Sequence, residues 1–381
     1  MKKKLKIVIS PDSFKGSLSA RDAAEAIARG LRKGMDNDTS AELVLLPIAD
    51  GGEGTLDALV NDDARITLTV TGTGGTPVSA CYGYLGDTAV IEMARAAGLT
   101  LVPEDSRNAA TATTLGVGEM ILDALGRGYR RFLLTVGGSG TNDGGCGMLA
   151  SLGARFFDAD GVAFVPTGGT LDRIDRIDPS GLDPRLVCSQ FIIATDVKNP
   201  LCGKDGATRV YAPQKGAEDD TLERMELGMR HYADLLKELC GRDVAVIDGC
   251  GAGGGISAPL LAFLGAEIVS GIHAVLSALD FEAQVATADA VITGEGKIDR
   301  QSLYGKAISG VAEIAHRHAV PVVCLVGCIG DDRQILLDLG IDTLLATADI
   351  APSPAYSISH AAELLEKLAE EVARTRFVGT F

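Results

Sequence analysis

Positive charge is scarce in this sequence of 381 residues. Lys and Arg together number 35 against 51 Asp and Glu, so the formal net charge is −16. A surface of this sign repels the phosphate backbone of nucleic acids, and a nucleic-acid partner is therefore not expected. The same field repels ATP-like anions. Phosphate chemistry on this chain would need locally placed lysines, glycine-rich backbone and a divalent cation.

Long apolar runs are also missing. The apolar stretch at residues 5–9 is far too short for the hydrophobic region of a signal peptide. Residues 258–279 are interrupted by Glu267, His273 and several glycines, so they are interpreted as buried helix rather than as a membrane span. The eight cysteines are scattered without a CxxC motif, which is typical of reduced cytosolic thiols. We therefore expect a cytoplasmic protein with no membrane partner.

Several catalytic signatures are absent. The five histidines fall in predicted helices, away from the strand ends, and have no paired zinc-ligand spacing. The sequence has no G-x-S-x-G nucleophile elbow, because the glycines around Ser139 are wrongly spaced. It also has no G-x-x-x-x-G-K-[ST] motif. These absences argue against a zinc enzyme, a Ser-His-Asp hydrolase and a P-loop kinase.

One glycine pattern keeps a dinucleotide site open as an alternative. Gly249, Gly251 and Gly254 match G-x-G-x-x-G after a strand-like run at residues 244–247. A dinucleotide site also requires a second strand that ends in an acidic residue about 20 residues later. Glu267 instead precedes the apolar pair that it would have to follow. An NAD-dependent oxidoreductase is therefore an alternative with incomplete support.

Glycine is abundant, with 47 residues, and most of them follow short β-branched runs as turns after strands would. Apolar content of 46% is sufficient for a sizeable core. Strand patterns occur at residues 5–10, 42–47, 131–136, 191–195, 290–293, 320–326 and 343–347. Helical patterns occur at 113–125, 222–239, 303–318, 333–339 and 359–374, and one after Ser19, a candidate N-cap. Strands that alternate with helices predict parallel pairing.

The segment at residues 65–94 differs, because short strands separated by Gly, Pro and Asp indicate an antiparallel meander there. The sequence therefore predicts an α/β fold of two domains. An open, Rossmann- or flavodoxin-like domain with a parallel sheet would combine residues 1–65 and 288–381. A mixed-sheet α/β domain, residues 66–287, would be inserted into it.

Five predicted strands end in loops that carry acidic residues, and three of these loops are rich in glycine. The loops are residues 10–17, 49–54, 137–145, 196–200 and 294–299. Ligands bind beyond the carboxyl ends of parallel strands, where such loops expose backbone N–H groups. Glycine-rich backbone suits phosphate binding. The acidic residues Asp50, Glu53, Asp196, Glu295 and Asp299 are of the type that holds Mg²⁺.

These loops resemble, in order and spacing, those of the bacterial glycerate kinase family, type 1. The matching motifs are Pro11-Asp-Ser-Phe-Lys-Gly-Ser17, Ala49-Asp-Gly-Gly-Glu-Gly-Thr55, Gly138-Ser-Gly-Thr-Asn-Asp-Gly-Gly145, Asp196-Val-Lys-Asn-Pro-Leu201, Pro213-Gln-Lys-Gly216 and Ile292-Thr-Gly-Glu-Gly-Lys-Ile-Asp299. The resemblance covers essentially the whole chain. It implies a cytoplasmic enzyme that phosphorylates D-glycerate with MgATP to give 2-phosphoglycerate and ADP, with the active site between two α/β domains.

Some positions depart from the family pattern. Gly140, Thr195 and Ala109 stand where Ala, Cys and Pro are common, and Lys297 stands where Arg is common. Lys297 keeps the positive charge but loses the two-pronged donor of Arg, which bears on how its loop holds a carboxylate or phosphate. Substrate preference is the property that these departures affect most.

The resemblance and the chemistry of phosphoryl transfer together suggest roles for individual residues. Lys15 and Lys215 are candidate catalytic residues that contact phosphate oxygens or the glycerate carboxylate, and Asp196 is the candidate that orients or deprotonates the attacking hydroxyl. Glu295, Asp299 and Asp50 are the candidate Mg²⁺ ligands. The candidate substrate- and nucleotide-binding residues are Asp12, Ser13, Gly138, Ser139, Thr141, Asn142, Asp143, Asn199, Gly251, Gly253, Gly254 and Lys297.

Some alternatives stay open at this point. The sequence does not decide which carboxylate acts as base and which binds metal, nor the oligomeric state, for which a homodimer is one option. A non-catalytic metabolite-binding regulator of similar ancestry is the second alternative to a kinase.

Overall fold

The structure is a computed structural model, and it describes residues 4–35, 41–52, 54–299, 307–330, 333, 337 and 340–377. The chain forms two compact units. Unit 1 combines both ends of the chain, Met1–Asp50 and Gly271–Phe381, with the short segment Asp57–Leu59. Unit 2 consists of Gly51–Leu56 and Val60–Ser270.

The elements of the described residues are numbered in chain order. The strands are β1 (Leu5–Pro11), β2 (Ala41–Leu45), β3 (Arg65–Thr71), β4 (Pro77–Leu85), β5 (Thr88–Glu92), β6 (Arg131–Thr135), β7 (Arg155–Phe157), β8 (Ala163–Phe164), β9 (Arg176–Asp178), β10 (Gln190–Ala194), β11 (Glu267–Val269), β12 (Ala290–Gly294), β13 (Lys297–Ile298), β14 (Val322–Val326), β15 (Cys328–Ile329) and β16 (Thr343–Ala346). The α-helices are α1 (Ala20–Gly34), α2 (Thr55–Leu59), α3 (Ala94–Ala97), α4 (Leu115–Gly126), α5 (Cys146–Ser151), α6 (Ala207–Tyr211), α7 (Asp219–Cys240), α8 (Ser257–Phe263), α9 (Gly271–Ala278), α10 (Phe281–Val285), α11 (Ala307–Arg317), α12 (Thr347–Ile350), α13 (Pro354–Ser359) and α14 (Ala361–Val372).

Unit 1 is built on a parallel sheet. Its described strands follow the order β16-β14-β12-β1-β2, and each neighbouring pair is parallel. Strands β12 and β14 are buried along their whole length and β1 along nearly all of it, as expected of Val- and Ile-rich strands in a parallel sheet. Helix α1 begins after Ser19, whose Oγ accepts a hydrogen bond from the Asp22 N–H at 3.1 Å, so the predicted N-cap is confirmed.

Helices α1 and α14 pack unusually closely within unit 1. A Cβ atom added to Gly30 would lie 2.1 Å from the carbonyl oxygen of Glu366, and one added to Gly34 would lie 2.3 Å from that of Glu370. Only glycine allows the backbones to approach this far. The first and last long helices of the chain are therefore held together in the same unit.

Unit 2 is built on a mixed sheet with the order β11-β10-β6-β5-β4-β3. Strands β11, β10, β6 and β5 are parallel, whereas β4 and β3 continue the sheet antiparallel. The predicted meander is confirmed in β3, β4 and β5. The rings of Phe132 and Phe191, on neighbouring strands, stack with their centroids 4.6 Å apart. The predicted α/β class is thus confirmed, with a parallel sheet in one unit and a mixed sheet in the other.

Two local predictions are wrong. The strand-like run at 244–247 is a 3-10 helix, Val244–Val246, capped by the Asp243 side chain, which accepts a hydrogen bond from the Ala245 N–H. A short apolar run does not distinguish strand from helix by its periodicity. The predicted helical region 258–279 contains helices α8 and α9, but Glu267–Val269 between them is strand β11, because it pairs with β10.

Two further points concern helices. The predicted helix at 333–339 lies mostly outside the described residues. Among the helices that the structure describes, none combines the length and apolarity needed to cross a bilayer.

Candidate active site

Two of the predicted binding loops of unit 2 follow the carboxyl ends of β6 and β10. These strands are parallel and in register, with Thr135 opposite Ala194. The loop that follows each strand therefore starts at the same edge of the sheet. These are the glycine-rich loop 137–145 and the loop 196–200, which the sequence places at strand ends.

Asp143 organises the first of these loops. One of its oxygens accepts hydrogen bonds from the Thr114 N–H and hydroxyl, both at 2.8 Å, and from the Gly147 N–H at 3.2 Å. The other accepts from the Gly145 N–H at 3.0 Å. Burial raises the pKa of Asp143, while these hydrogen bonds favour the ionised form. The carboxylate thus fixes the starts of α4 and α5 and is fully buried, while its contact with a ligand stays a prediction.

The second glycine-rich loop, residues 249–255, packs directly on the first. Gly253 and Gly254 have φ angles of 63° and 70°, a conformation that favours glycine. A Cβ atom on Gly254 would lie 1.9 Å from the carbonyl oxygen of Thr141, and the Gly144 N–H donates to Gly254 O at 3.0 Å. The predicted binding loops therefore form one interlocked piece of backbone.

Asn199 ties the loop 196–200 to the same structure. Its side chain donates to Asp205 O at 2.8 Å and accepts a hydrogen bond from the Tyr211 hydroxyl at 2.7 Å. Its backbone carbonyl accepts from the Gly251 N–H at 3.0 Å. Asp196, at the start of this loop, is exposed. The loop thus holds Asn199 firmly and leaves Asp196 accessible to solvent.

Lys215 reaches the first loop from a separate part of the chain. It ends the 3-10 turn Pro213–Lys215 and is only 2% exposed. Its Nζ donates to Ser139 Oγ at 2.9 Å and to Thr141 O at 2.7 Å. Burial lowers the pKa of Lys215 to about 7, and the negative charge of Asp143 opposes this shift. The structure therefore places an amine that changes its charge near neutral pH against the glycine-rich loop.

In unit 1, a second set of predicted residues follows β1 and β12. Pro11 pairs with Gly294 at the ends of these strands, and the Asp12 N–H donates to Gly294 O at 2.8 Å. Glu295 comes directly after Gly294 in the chain. Asp12 and Glu295 are therefore brought to the same edge of the parallel sheet, as the strand-end argument predicts.

Asp12 has a perturbed acidity. Burial, with a smaller contribution from the negative charge of Asp50, raises the pKa of Asp12 to about 6. A backbone hydrogen bond from Ser13 and the positive charge of Lys15 act in the opposite direction. The structure thus groups Asp12, Ser13, Lys15 and Asp50 in one neighbourhood that is negatively charged and partly desolvated.

The loop 294–299 approaches the same region. A Cβ atom on Gly296 would lie 3.1 Å from the backbone nitrogen of Lys15. Lys297 is exposed, and its Nζ lies 3.3 Å from Asp299 Oδ2. Lys297 and Asp299 therefore form an ion pair beside the loop that carries Lys15.

The predicted magnesium ligands do not make a complete metal site by themselves. Within the described residues, no group of three or more His, Cys, Asp or Glu side chains is placed to hold a metal ion. Asp50, Glu295 and Asp299 thus do not converge as a set of three, and Glu53 lies outside the described residues. A magnesium ion that arrives with a nucleotide needs only one or two carboxylates, because phosphates and waters supply the other ligands. The closely placed Asp12 and Asp50 fit that requirement.

Sequence reasoning missed two residues of α6 that support the site. Thr208 accepts a hydrogen bond from the Asn142 side chain at 3.0 Å, and Tyr211 holds Asn199. The two residues are three apart in a helix, so they lie on one face. A polar pair at this spacing between two predicted binding motifs is the signal that could have revealed them.

The glycine pattern at 249–254 does not provide the context of a dinucleotide site. It follows a 3-10 helix rather than a strand, and its glycines serve in packing: Gly254 lies against Thr141, Gly251 against Pro200 and Gly249 against Ile268. The glycine pattern therefore no longer supports an NAD-dependent oxidoreductase.

The fold and the loops define a class of protein: an α/β enzyme whose glycine-rich strand-end loops, buried lysine and acidic strand ends suit the handling of phosphate groups. Comparisons with known proteins make this specific. A model of the glycerate kinase family matches residues 7–376. Glycerate kinase of Bacillus subtilis is 46% identical over 97% of this chain and 97% of that protein, and glycerate 2-kinase of Escherichia coli is 44% identical over 92% and 94%.

A solved structure agrees with these relatives. The crystal structure of a Salmonella typhimurium LT2 protein assigned as glycerate kinase 2 superimposes with a TM-score of 0.87 at 41% identity, covering 98% of each chain. The chain belongs to the glycerate kinase family. It is an enzyme of the kinase class, and the resemblance seen in its motifs is confirmed.

Proposed function

We propose that the protein transfers the γ-phosphoryl group of ATP to the 2-hydroxyl group of D-glycerate, giving 2-phosphoglycerate and ADP. Membership of the glycerate kinase family supports glycerate as the acceptor. The E. coli relative that is named a glycerate 2-kinase supports the 2-position. The structural observation that carries the proposal is the interlocked pair of glycine-rich loops with Lys215 buried against one of them.

We assign phosphate binding to the loops of unit 2. Loops 137–145 and 249–255 are fixed by their own packing, so an anion that binds to them would meet a backbone already held in place. Lys215 supplies a positive charge next to Ser139 and Thr141. This local charge offsets the repulsion that a net charge of −16 exerts on a nucleotide. Lys15, which is exposed, is the second lysine assigned to phosphate oxygens or the acceptor carboxylate.

We assign metal binding to the acidic strand ends of unit 1. One or two of the carboxylates of Asp50, Glu295, Asp299 and Asp12 would hold Mg²⁺, and phosphates and waters would complete its coordination. When bound, the ion would neutralise negative charge on the nucleotide phosphates. Burial is the main cause of the raised pKa of Asp12, and the negative charge of Asp50 adds to it, so a bound cation would favour the ionised form of Asp12.

We assign activation of the acceptor to Asp196. It follows β10 and is exposed, so it can meet a hydroxyl group that binds from solution. Loop 196–200 holds it in place through Asn199, which Tyr211 and Asp205 fix on both sides. A carboxylate within hydrogen-bonding distance of the hydroxyl would orient it and accept its proton as the new phosphate ester bond forms.

The decisive experiment incubates the purified protein with MgATP and D-glycerate and measures ADP. The product is then offered to enolase without a phosphoglycerate mutase. We expect ADP formation that depends on D-glycerate and on Mg²⁺, and full consumption of the product by enolase. A product that enolase consumes only after mutase is added would show that the phosphate is attached to the 3-hydroxyl group. Absence of glycerate-dependent ADP would refute the activity.

A further inference from the structure

A small pocket of unit 2 lies beside the glycine-rich loop 137–145, outside the residues assigned to phosphate, metal and hydroxyl binding. Its cavity volume is about 30 Å³, which is room for a group of a few atoms. Its polar lining comes from Thr73, Ser106, Arg107, Asn108 and Thr111, and Gly140 of the loop closes one side. A volume of this order holds one small polar group rather than a whole ligand, for which about 300 Å³ or more is usual.

Arg107 carries the positive charge of this pocket. Among the described residues that line it, Arg107 is the single charged one. Its Nε is buried and has no hydrogen-bond partner among those residues. A buried donor without an acceptor is costly, so the guanidinium group is set up for an acceptor that comes from outside the chain.

The position of Arg107 connects it with Lys215. A Cβ atom on Gly216 would lie 2.1 Å from the carbonyl oxygen of Arg107, so this backbone packs tightly on the turn that follows Lys215. Lys215 in turn contacts Ser139, the residue before Gly140. The pocket is therefore continuous with the loop to which we assign phosphate binding.

Asn108 adds a second oriented polar group. Its Oδ1 accepts a hydrogen bond from the Ala110 N–H at 3.0 Å, which fixes the amide and leaves its nitrogen as the donor. The Thr73 hydroxyl donates to Gly98 O at 2.8 Å and is thereby fixed as well. Leu99 and Val102 supply apolar lining. The pocket thus combines a cation and an oriented amide with a short apolar wall.

We propose that this pocket binds the carboxylate group of the acceptor acid and that Arg107 is its principal ligand, a role that rests on the proposed function. The planar guanidinium group offers two parallel donors that match a carboxylate or a phosphate. A volume of about 30 Å³ suits the carboxylate group alone, so the rest of the acceptor would lie outside the pocket. Recognition through Arg107 would select acceptors that carry a carboxylate next to the reacting hydroxyl.

Steady-state kinetics of Arg107→Gln and Arg107→Lys test this role. We expect Arg107→Gln to raise KM for D-glycerate roughly 10- to 100-fold, while KM for ATP stays within about twofold. The KM of Arg107→Lys for D-glycerate should lie between those of Arg107→Gln and the wild type, because lysine keeps the charge and loses the two-pronged contact. Equal melting temperatures would show that the variants are folded. A rise in KM for ATP alone would assign the pocket to a nucleotide phosphate, and unchanged constants for both substrates would remove Arg107 from substrate binding.

Arg131→Gln is the matched control. Arg131 begins β6, at the opposite end of the strand from loop 137–145, and is 54% exposed, so the variant removes one positive charge from the same unit without touching the pocket. We expect its kinetic constants to match the wild type. A rise in KM for D-glycerate equal to that of Arg107→Gln would show a general charge effect and would overturn the proposal.

A binding measurement separates this proposal from the proposed function. The melting temperature of wild type and Arg107→Gln is followed while D-glycerate is added without nucleotide. If D-glycerate raises the melting temperature of the wild type but not that of Arg107→Gln, the carboxylate pocket is supported even if no phosphoryl transfer occurs. Equal stabilisation of both proteins, or none of either, would refute the pocket even if the enzyme is active.

Discussion

Lys215 shows how burial and hydrogen bonding determine the charge of a single residue. Its Nζ donates to a hydroxyl group and a backbone carbonyl, which are neutral acceptors, and these do not recover the hydration that the ammonium group loses. The charged form is therefore weakly held in the free protein. A phosphate group bound to loop 137–145 would supply the missing negative charge and would raise the pKa of Lys215.

The low pKa of Lys215 predicts a pH dependence of stability. The unfolded chain, in which this lysine has its ordinary pKa, binds more protons than the folded chain above about pH 7. The free energy of unfolding should therefore rise with pH, by about 1 kcal/mol for each unit between pH 7 and 9. Lys215→Met should remove this rise. Urea unfolding at pH 7, 8 and 9 measures it.

The control for this prediction is Lys204→Met. Lys204 is an exposed lysine of the same unit, so its replacement should leave the pH dependence unchanged. If the free energy of unfolding of Lys215→Met rises with pH as steeply as that of the wild type, the buried amine is not the cause of the rise.

Asp196 is the residue to which we assign activation of the acceptor hydroxyl group. If it orients and deprotonates the hydroxyl group, Asp196→Asn should lower kcat by at least about a hundredfold. The side chain is exposed, so the melting temperature should change little. Steady-state kinetics and thermal unfolding measure the two effects, with Asp234→Asn, an exposed position on α7, as the control. Turnover near that of the wild type would assign the proton transfer to another carboxylate.

The close approach of their backbones holds loops 137–145 and 249–255 together. Gly254 has φ of 70° and lies against Thr141, so a side chain at this position meets both backbone strain and a clash. Gly265 has a similar φ of 62°, but an added Cβ atom has nothing within 4 Å. The two glycines differ only in their surroundings and can be compared directly.

We expect Gly254→Ala to lower the free energy of unfolding by at least about 3 kcal/mol, or to displace loop 137–145 and abolish activity. Gly265→Ala should cost only the strain of the left-handed conformation, about 1 to 2 kcal/mol, and should keep full activity. Chemical denaturation and kinetics of both variants measure these effects. Similar losses in the two proteins would mean that contact between the loops contributes little.

The elements themselves were largely predictable from local patterns. The helix predicted at 222–239 extends from Asp219 to Cys240, because Asp219 and Asp220 favour its first turn and Gly241 ends it in a left-handed conformation. The run at 244–247 was not predictable, because its residues also suit a strand and the cap at Asp243 decided the outcome.

The site was predictable in part. Strand-end loops bring their residues to one edge of a sheet, and this places loops 137–145 and 196–200 together. The role of Asp143 was not predictable, because its motif does not show that α4 and α5 would present four donors to one carboxylate. Arg107 was missed for a similar reason, since only its surroundings distinguish it from other arginines.

For the whole molecule, the choice of nucleotide separates the two enzyme classes that the sequence alone left open. MgATP at about a hundred times its Kd should stabilise the protein by about 2.7 kcal/mol and raise the melting temperature by roughly 2 to 4 °C. NADH should leave it unchanged, because the glycines at 249–254 are occupied in packing. Thermal unfolding with each nucleotide measures this. Stabilisation by NADH and not by MgATP would favour the oxidoreductase.

The pairing of β1 with β12 and the close packing of α1 on α14 have a consequence for biosynthesis. Strand β2, one of the two neighbours of β1, follows it closely in the chain. The other neighbour, β12, and helix α14, which packs on α1, are made only after about three quarters of these residues. Unit 2, which is nearly contiguous, has all its strands available by then. Unit 2 is therefore complete while the side of β1 that pairs with β12 is still uncovered, and an uncovered apolar strand favours aggregation during translation.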